Sequence, residues 1–189
     1  MSEPLERPID GLKRSPAAQR RCARALDSFI DLVLEGNLPP TPQQIAERAG
    51  ISMATFFRYF ENLNVMRLQA AERVLERFPL FEIPDVGQGS LSERVDRFVA
   101  LRVALWEKVN LLARLQRTIV LEDPDAARMV NSVRNTMADQ IREHFAPELR
   151  GVSASRREGA VAMIATLTSV ESWEQFREAY GRSVRQTRR

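Results

Sequence analysis

The chain has 189 residues, a formal net charge of +3 and an apolar fraction of 44%, a composition typical of a globular protein with a substantial core, which excludes a disordered chain. Its single cysteine, Cys22, excludes an internal disulfide and a cysteine-based zinc site. The longest near-continuous apolar run, Val161 to Leu167, is too short to cross a membrane. Residues 1–16 contain no apolar segment, so we expect no signal peptide. We therefore expect a cytoplasmic protein that needs no cofactor.

Basic residues are concentrated at the start of the chain, where residues 1–16 form a predicted flexible arm. From residue 7 onward Asp10 is the one acid opposed to a series of cations, namely Arg7, Lys13, Arg14, Arg20, Arg21 and Arg24. Such an arm either contacts nucleic-acid phosphates or is a solvated tail, and the sequence leaves both open. A second basic cluster at the end of the chain favours a solvated terminus.

The first helix is predicted from about Pro16 to Leu34, with an apolar side that includes Ala25 and Phe29. A break rich in glycine and proline follows at residues 36–40. The chain shows almost no alternation of the kind that predicts strands. Helical spacing recurs instead, so the predicted fold class is all-α.

The segment from Thr41 to Phe60 carries the strongest local pattern. Thr41 is a good N-cap, and Pro42 occupies the first helical position, where its missing N–H costs nothing. Gly50 supplies the left-handed residue of a tight turn, and Ser52 caps the next helix. Several local requirements agree over twenty residues. They predict a helix-turn-helix that holds its second helix in a DNA major groove, rather than an ordinary helical hairpin.

The rest of the chain predicts further helices. They are expected at about Asn62 to Arg77, Leu91 to Trp106, Val109 to Leu121 and Pro124 to Phe145, with a break from Pro79 to Ser90. A last helix is expected from about Ser153, with a kink near Thr168, and it is apolar on nearly every side. A helix of that kind must be covered all round, and a partner subunit is the simplest cover.

The pattern of Thr41, Ile45-Ala46, Ala49-Gly50-Ile51-Ser52, Thr55 and the aromatic run ending at Phe60 resembles the TetR family of bacterial transcriptional regulators. The resemblance is close over about residues 20–68 and covers only length and helical pattern beyond them. It implies a three-helix DNA-binding domain at residues 17–61. Residues 62–189 would then form a helical effector-binding and dimerisation domain.

The resemblance also implies functional residues at matching positions. The implied DNA contacts are Thr41, Gln43, Ser52, Met53, Thr55, Phe57, Arg58 and Tyr59. Phe57 lacks the hydroxyl that the family usually has at that position, and Leu63 replaces the usual lysine. Two phosphate contacts are therefore missing, and Tyr59 and the N-terminus of the helix capped by Asn62 are the expected substitutes. Arg58 is the expected guanine contact, with a phosphate contact as the alternative.

Effector and dimer residues are predicted on the C-terminal helices. The expected pocket lining is Phe98, Arg102, Trp106, Leu112, Leu115, Met129, Val133 and Met137. Arg102 and Arg114 are expected to form either surface ion pairs or contacts with an anionic ligand. The expected homodimer interface is Ala160, Ile164, Leu167, Trp173 and Phe176.

The resemblance implies a ligand-responsive regulator, expected to be a repressor, that binds an inverted-repeat DNA operator as a homodimer and is released by a small lipophilic effector. One alternative is a helical ligand-binding or protein-interaction module with weakened DNA binding. Another is an activator or a DNA binder without sequence preference.

An enzyme is not expected, because His144 and Cys22 lie in no nucleophile or metal motif. His144 is expected to cap a helix or to be solvated.

Overall fold

The computed structural model describes residues 15–78, 82–121 and 123–188. The predicted arm lies outside these residues up to Arg14, as does Arg189 of the second basic cluster. Within them every regular element is helical and there is no strand, as the sequence predicts. None of the described helices is long and apolar enough to span a membrane.

The N-terminal part of the structure contains α1 (Pro16–Leu34), α2 (Pro42–Ala49) and α3 (Met53–Tyr59). The Thr41 hydroxyl accepts from the N–H of Gln44, whose side chain in turn accepts from the N–H of Thr41. This reciprocal pair satisfies two N–H groups at the start of α2. Gly50 has φ 64° and ψ 42°, so it turns the chain from α2 towards the Ser52 cap of α3.

Helix α4 (Leu63–Arg77) is separated from α3 by the three residues 60–62, and it packs against α1. The Asn62 side chain caps it by accepting from the N–H of Val65 at 2.9 Å. Arg73 forms a two-bonded ion pair with Asp27 of α1 at 3.0 and 3.1 Å. This pairing fixes the position of α4 along α1, because the planar guanidinium holds both carboxylate oxygens.

Helix α5 (Leu91–Val120) is one continuous helix of 30 residues. The two helices predicted at Leu91–Trp106 and Val109–Leu121 are therefore one, and that prediction is wrong. Residues 107–109 contain neither glycine nor proline, so nothing in this segment breaks the helix. The Ser90 capping box starts the helix where the sequence predicts it.

The remaining elements are α6 (Pro124–His144), α7 (Ala146–Leu149), α8 (Ala154–Leu167), α9 (Val170–Glu174), a π-helical turn (Gln175–Ala179) and α10 (Val184–Thr187). Ser169 caps α9, so the predicted kink near Thr168 is a complete break between helices. Pro147 lies in the first turn of α7, directly after the end of α6. Helix α5 packs against α6 and α9, and α6 packs against α8.

Two apolar clusters hold the helices together. The larger joins α1–α5 with α9 and includes Phe29, Phe56, Met66, Leu105 and Trp173. The smaller joins α5, α6 and α8. The boundary that the sequence predicts at residue 62 is crossed by the larger cluster, so α1 and α4 are buried together with α5.

Candidate functional sites

The first candidate site is the outer surface of α3. Met53, Phe57 and Arg58 are exposed there, and 54% of the Phe57 side chain is accessible. The opposite face of the helix is held in the core by Phe56 and Phe60, whose ring centroids lie 5.2 Å apart. The side chains that α3 presents to solvent are therefore fixed by a fully buried aromatic pair.

Tyr59 does not lie on that surface. The sequence predicts that it points away from the core, but its side chain is 6% exposed and belongs to the larger apolar cluster. Helical geometry explains the error, because residue 59 lies three positions after Phe56 and one before Phe60 and therefore borders the buried face. The guanidinium of Arg58 lies 5.7 Å from the Tyr59 ring centroid, so the two side chains form a cation–π contact.

The other predicted DNA residues lie at the ends of the two short helices. Thr41 and Gln43 are exposed at the start of α2, although Gln43 bonds Glu47 on its own helix. Ser52 is exposed, and its hydroxyl accepts from the N–H of half-buried Thr55. Arg24, which the sequence assigns to the basic segment, donates to the Ala49 carbonyl at 2.7 Å and so caps α2.

The second candidate site is a cavity of about 540 Å³ that is partly open to solvent and is lined by α1, α4, α5 and α6 and by the α8–α9 junction. Its volume is within the range of about 300–1,000 Å³ that is usual for small-molecule sites. Seven of the eight predicted pocket residues line it, namely Arg102, Trp106, Leu112, Leu115, Met129, Val133 and Met137. The two methionines lie among branched side chains, where they can adjust to different ligand shapes.

Phe98 does not line this cavity, contrary to prediction. It is buried in the smaller cluster, where it stacks on His144 and meets Phe145 edge-to-face. Its ring lies 4.9 Å from the guanidinium of Arg102. Phe98 therefore forms a cation–π contact with Arg102 and does not itself line the cavity.

Sequence reasoning missed one wall of the cavity. Helix α4 contributes Arg67, Ala70, Ala71 and Val74, and α1 contributes Phe29. The small pair Ala70-Ala71 on a helix otherwise rich in large side chains is the signal that was available. It leaves room beside α4, but only the packing of α4 opposite α5 turns that room into a cavity.

Arg102 is the most unusual side chain of the cavity. It is 4% exposed, and its Nη2 donates to the Oε1 of Gln140 at 2.8 Å. Burial lowers the pKa of Arg102 to about 10. The side chain therefore keeps its positive charge at neutral pH, inside the protein. Arg114, which the sequence treats in the same way, pairs instead with Glu174 and Glu178.

His144 is buried, contrary to the expectation that it caps a helix or faces solvent. Its Nδ1 accepts from the N–H of Gly87 at 3.4 Å, and its Nε2 donates to the Arg94 carbonyl at 3.1 Å. These partners fit the neutral ring. Burial lowers the pKa of His144, which keeps it in that state.

The predicted interface residues have different surroundings within the chain. Leu167 is 65% exposed, and Met163 one turn earlier on α8 is exposed as well. Ala160 and Ile164 are half-buried against the smaller cluster, and Phe176 is half-buried in the π-helical turn. Trp173 is buried in its own chain, where its indole N–H donates to Glu107.

No protein-family model matches this chain, and no curated protein matches it. Three features of the molecule itself then bear on function. They are the exposed surface of α3, the cavity, and the uncovered apolar face of α8 formed by Met163 and Leu167.

Proposed function

We propose that this chain is a ligand-responsive DNA-binding regulator in which α2 and α3 act as a helix-turn-helix. The observation that carries the proposal is the combination of a buried Phe56–Phe60 face with an exposed surface at Met53, Phe57 and Arg58. A helix held rigidly from behind, with side chains free to meet base edges, is what major-groove binding requires.

The particular class we propose is the TetR family, with the chain acting as a homodimeric repressor. Helix α3 spans only seven residues, which is too few to recognise a long DNA site. Two copies related by a two-fold axis would read an inverted repeat and so supply the missing specificity. The uncovered apolar face of α8 supports a second subunit as its cover.

Helix α4 is the proposed connection between the two sites. Its N-terminus follows α3 after three residues, and its later turns place Arg67, Ala70 and Val74 in the cavity wall. A ligand that binds better to one position of α4 than to another would bias the placement of α3. By linkage, DNA and ligand then weaken each other's binding by the same factor.

Arg58 is the proposed base contact on α3. It makes no ion pair with any side chain that the structure describes, so its planar guanidinium is available to the O6 and N7 atoms of a guanine. We expect Arg58→Ala to weaken binding to the specific site by about 1–3 kcal/mol and to relax the preference at one base pair.

The experiment is a selection of genomic DNA fragments by the purified protein at near-physiological salt, repeated with Arg58→Ala. The expected result is an enriched inverted repeat whose preference is relaxed at one symmetric position in the variant. Arg150→Ala is the matched control, because Arg150 is an exposed arginine far along the chain that has no ion pair with a described residue. Equal losses by the Arg58 variant on specific and random DNA would contradict base reading.

A second candidate function is a ligand-binding module whose DNA binding has weakened. The exposed phenyl ring of Phe57 favours it, because that ring offers no hydrogen bond to a phosphate. Selection without any enriched sequence, from a protein that still forms dimers, would favour this second function. An enrichment lost equally to competing random DNA would indicate binding without sequence preference.

A further inference from the structure

The cavity wall is apolar except for an excess of positive charge. The charged side chains in the lining are four arginines and one acid, namely Arg67, Arg102, Arg117, Arg134 and Glu171. Most of the remaining wall is aliphatic or aromatic. The exposed lining residues Leu75 and Thr166 mark where the cavity meets solvent. Arg102 lies instead among buried neighbours, beside Trp106 and Ile141.

Two of these arginines already have carboxylate partners. Arg117 binds both oxygens of Glu174 at 2.6 and 2.8 Å, and Arg134 lies 3.2 Å from Glu171. Arg102 has no acidic partner among the residues that the structure describes. Its contacts are the neutral amide of Gln140 and the face of Phe98. Neither carries a charge that would balance the guanidinium.

The opposite wall contains a second unsatisfied group. The Nε of Arg67, on α4, is buried and has no hydrogen-bond partner in the described structure. Its Nη1 reaches only the Asn64 side chain, at 3.3 Å. The cavity therefore has cationic donors without acceptors on both α4 and α5.

A buried cation without a counterion is costly, because it loses its hydration and gains little in return. We infer that the cavity binds an amphipathic carboxylate, whose negative head lies on Arg102 and whose apolar body fills the space beside Val109, Leu115 and Met137. This inference rests on the effector-binding function proposed above, and it adds the chemical class of the effector.

The geometry favours a carboxylate head for a definite reason. One of the two N–H bonds of Arg102 Nη2 is committed to Gln140, and neither Nε nor Nη1 has a described acceptor. The second N–H bond of Nη2 therefore remains available to form a fork with Nε or with Nη1. A planar guanidinium presents donors in a fork that matches the two oxygens of a carboxylate. The remaining wall is apolar over several turns of α5 and α6, so the rest of the ligand must be apolar as well.

The test uses two matched pairs of compounds on the unmodified protein: decanoate with decanol, and naphthoate with naphthylmethanol. Trp106 lines the cavity, so its fluorescence reports occupancy, and titration calorimetry gives the affinity. We expect at least one acid to bind about 10- to 100-fold more tightly than its alcohol, the usual range for a hydrogen bond to a charged group. This comparison requires no substitution.

Variants then locate the head. Arg102→Met keeps most of the side-chain volume and removes the charge, so it should abolish the preference for the acid and leave the binding of the alcohol within about twofold. Arg102→Lys keeps the charge and should retain part of the preference. Arg150→Met is the matched control, because Arg150 is exposed and lies outside the cavity lining, and this variant should bind the acid normally. The melting temperature of Arg102→Met should not fall, which separates lost binding from lost folding.

Three results would overturn the inference: equal binding of acid and alcohol, an undiminished acid preference in Arg102→Met, or no binding of either pair. Each leaves the proposed regulator intact if the DNA selection still yields an inverted repeat. Failure of the DNA selection with a preserved acid preference would instead refute the regulator and leave a carboxylate-binding protein.

Discussion

At the scale of single residues, burial acts differently on two ionisable side chains. Arg102 keeps its charge at neutral pH because its lowered pKa, about 10, is still well above that value. His144 has both ring nitrogens bonded to backbone groups in an arrangement that only the neutral ring satisfies. Arg102 is therefore a buried cation that an anion would stabilise, whereas His144 stays neutral because protonation of its ring is unfavourable.

His144 makes the stability of the protein depend on pH. Burial lowers its pKa in the folded state below the ordinary value of 6.5. The unfolded chain then binds more protons than the folded chain as the pH falls below that value. We expect the free energy of unfolding to be greatest above about pH 6.5 and to decrease as the pH falls through the His144 range. Urea titrations at several pH values measure this slope.

The sequence offers a clean control for that slope, because His144 is the one histidine in the chain. His144→Gln keeps an acceptor for Gly87 and a donor for the Arg94 carbonyl but does not titrate. The variant should be less stable at neutral pH, and its free energy of unfolding should decrease less than that of the unmodified protein as the pH falls below 6.5. An unchanged slope in the variant would assign the dependence to carboxylates instead.

The sequence predicts single-residue environments less well than it predicts helices. Tyr59 and His144 both lie at helix ends, where the helical pattern no longer separates inside from outside. Their burial depends on other elements. The loop containing Gly87 covers His144, and the larger apolar cluster encloses Tyr59. The spacing of apolar residues along the sequence does not reveal either of these contacts.

At the scale of elements, the turn between α2 and α3 depends on backbone geometry. Gly50 has φ 64°, and a Cβ there would lie 3.7 Å from the nearest atom, on Arg24. That distance is an ordinary contact, so the cost of Gly50→Ala is backbone strain, about 1–2 kcal/mol. We expect urea unfolding to show this decrease in the free energy of unfolding. We also expect weaker binding to the selected DNA, because strain at Gly50 changes the position of α3.

Gly151→Ala is the matched control for this turn. Gly151 also has a positive φ, 77°, and a Cβ there would meet no atom within 4 Å, but this residue lies between α7 and α8. Its substitution should cost similar stability and leave DNA affinity unchanged. Similar DNA losses in both variants would show that the effect of Gly50→Ala comes from global destabilisation and not from the angle of α3.

Helix starts were predictable because each depends on a short-range hydrogen bond. Thr41, Ser52 and Asn62 each accept from a backbone N–H three residues later. Such caps involve neighbours in sequence, so the sequence contains the whole interaction. The continuity of α5 was not predictable from apolar spacing alone, because its buried face changes from the smaller cluster at Phe98 to the larger cluster at Leu105.

At the scale of the whole molecule, the cavity is a product of packing between distant segments. The predicted lining on α5 and α6 is correct for seven residues, since apolar positions on long helices face inward. The α4 wall required knowledge of where α4 lies. The Arg73–Asp27 pair that positions it joins residues 46 apart in sequence, and no local pattern reveals it.

The apolar face of α8 leads to the last prediction, which concerns assembly. Within one chain α8 buries only Val161 fully, while Met163 and Leu167 remain exposed one turn apart. Ile164, which the sequence assigns to the interface, packs partly inside its own chain, so a charge there would damage folding as well as assembly. Leu167 separates the two effects because it is 65% exposed. We expect Leu167→Glu to leave the free energy of unfolding of the single chain unchanged. We expect the same variant to weaken the proposed dimer by about 2 kcal/mol or more and therefore to lose tight DNA binding.

Sedimentation at several concentrations measures that loss, and Leu121→Glu is its matched control. Leu121 is an equally apolar side chain, 89% exposed, at the end of α5 and away from α8. Glutamate at this position should leave the proposed dimer unchanged, because Leu121 lies outside the apolar face of α8 and its replacement removes no contact between subunits. If both variants remain dimeric, the subunits meet on another face. If Leu167→Glu alone becomes monomeric and binds DNA only weakly, then the apolar face of α8 is what brings two α3 helices to one operator.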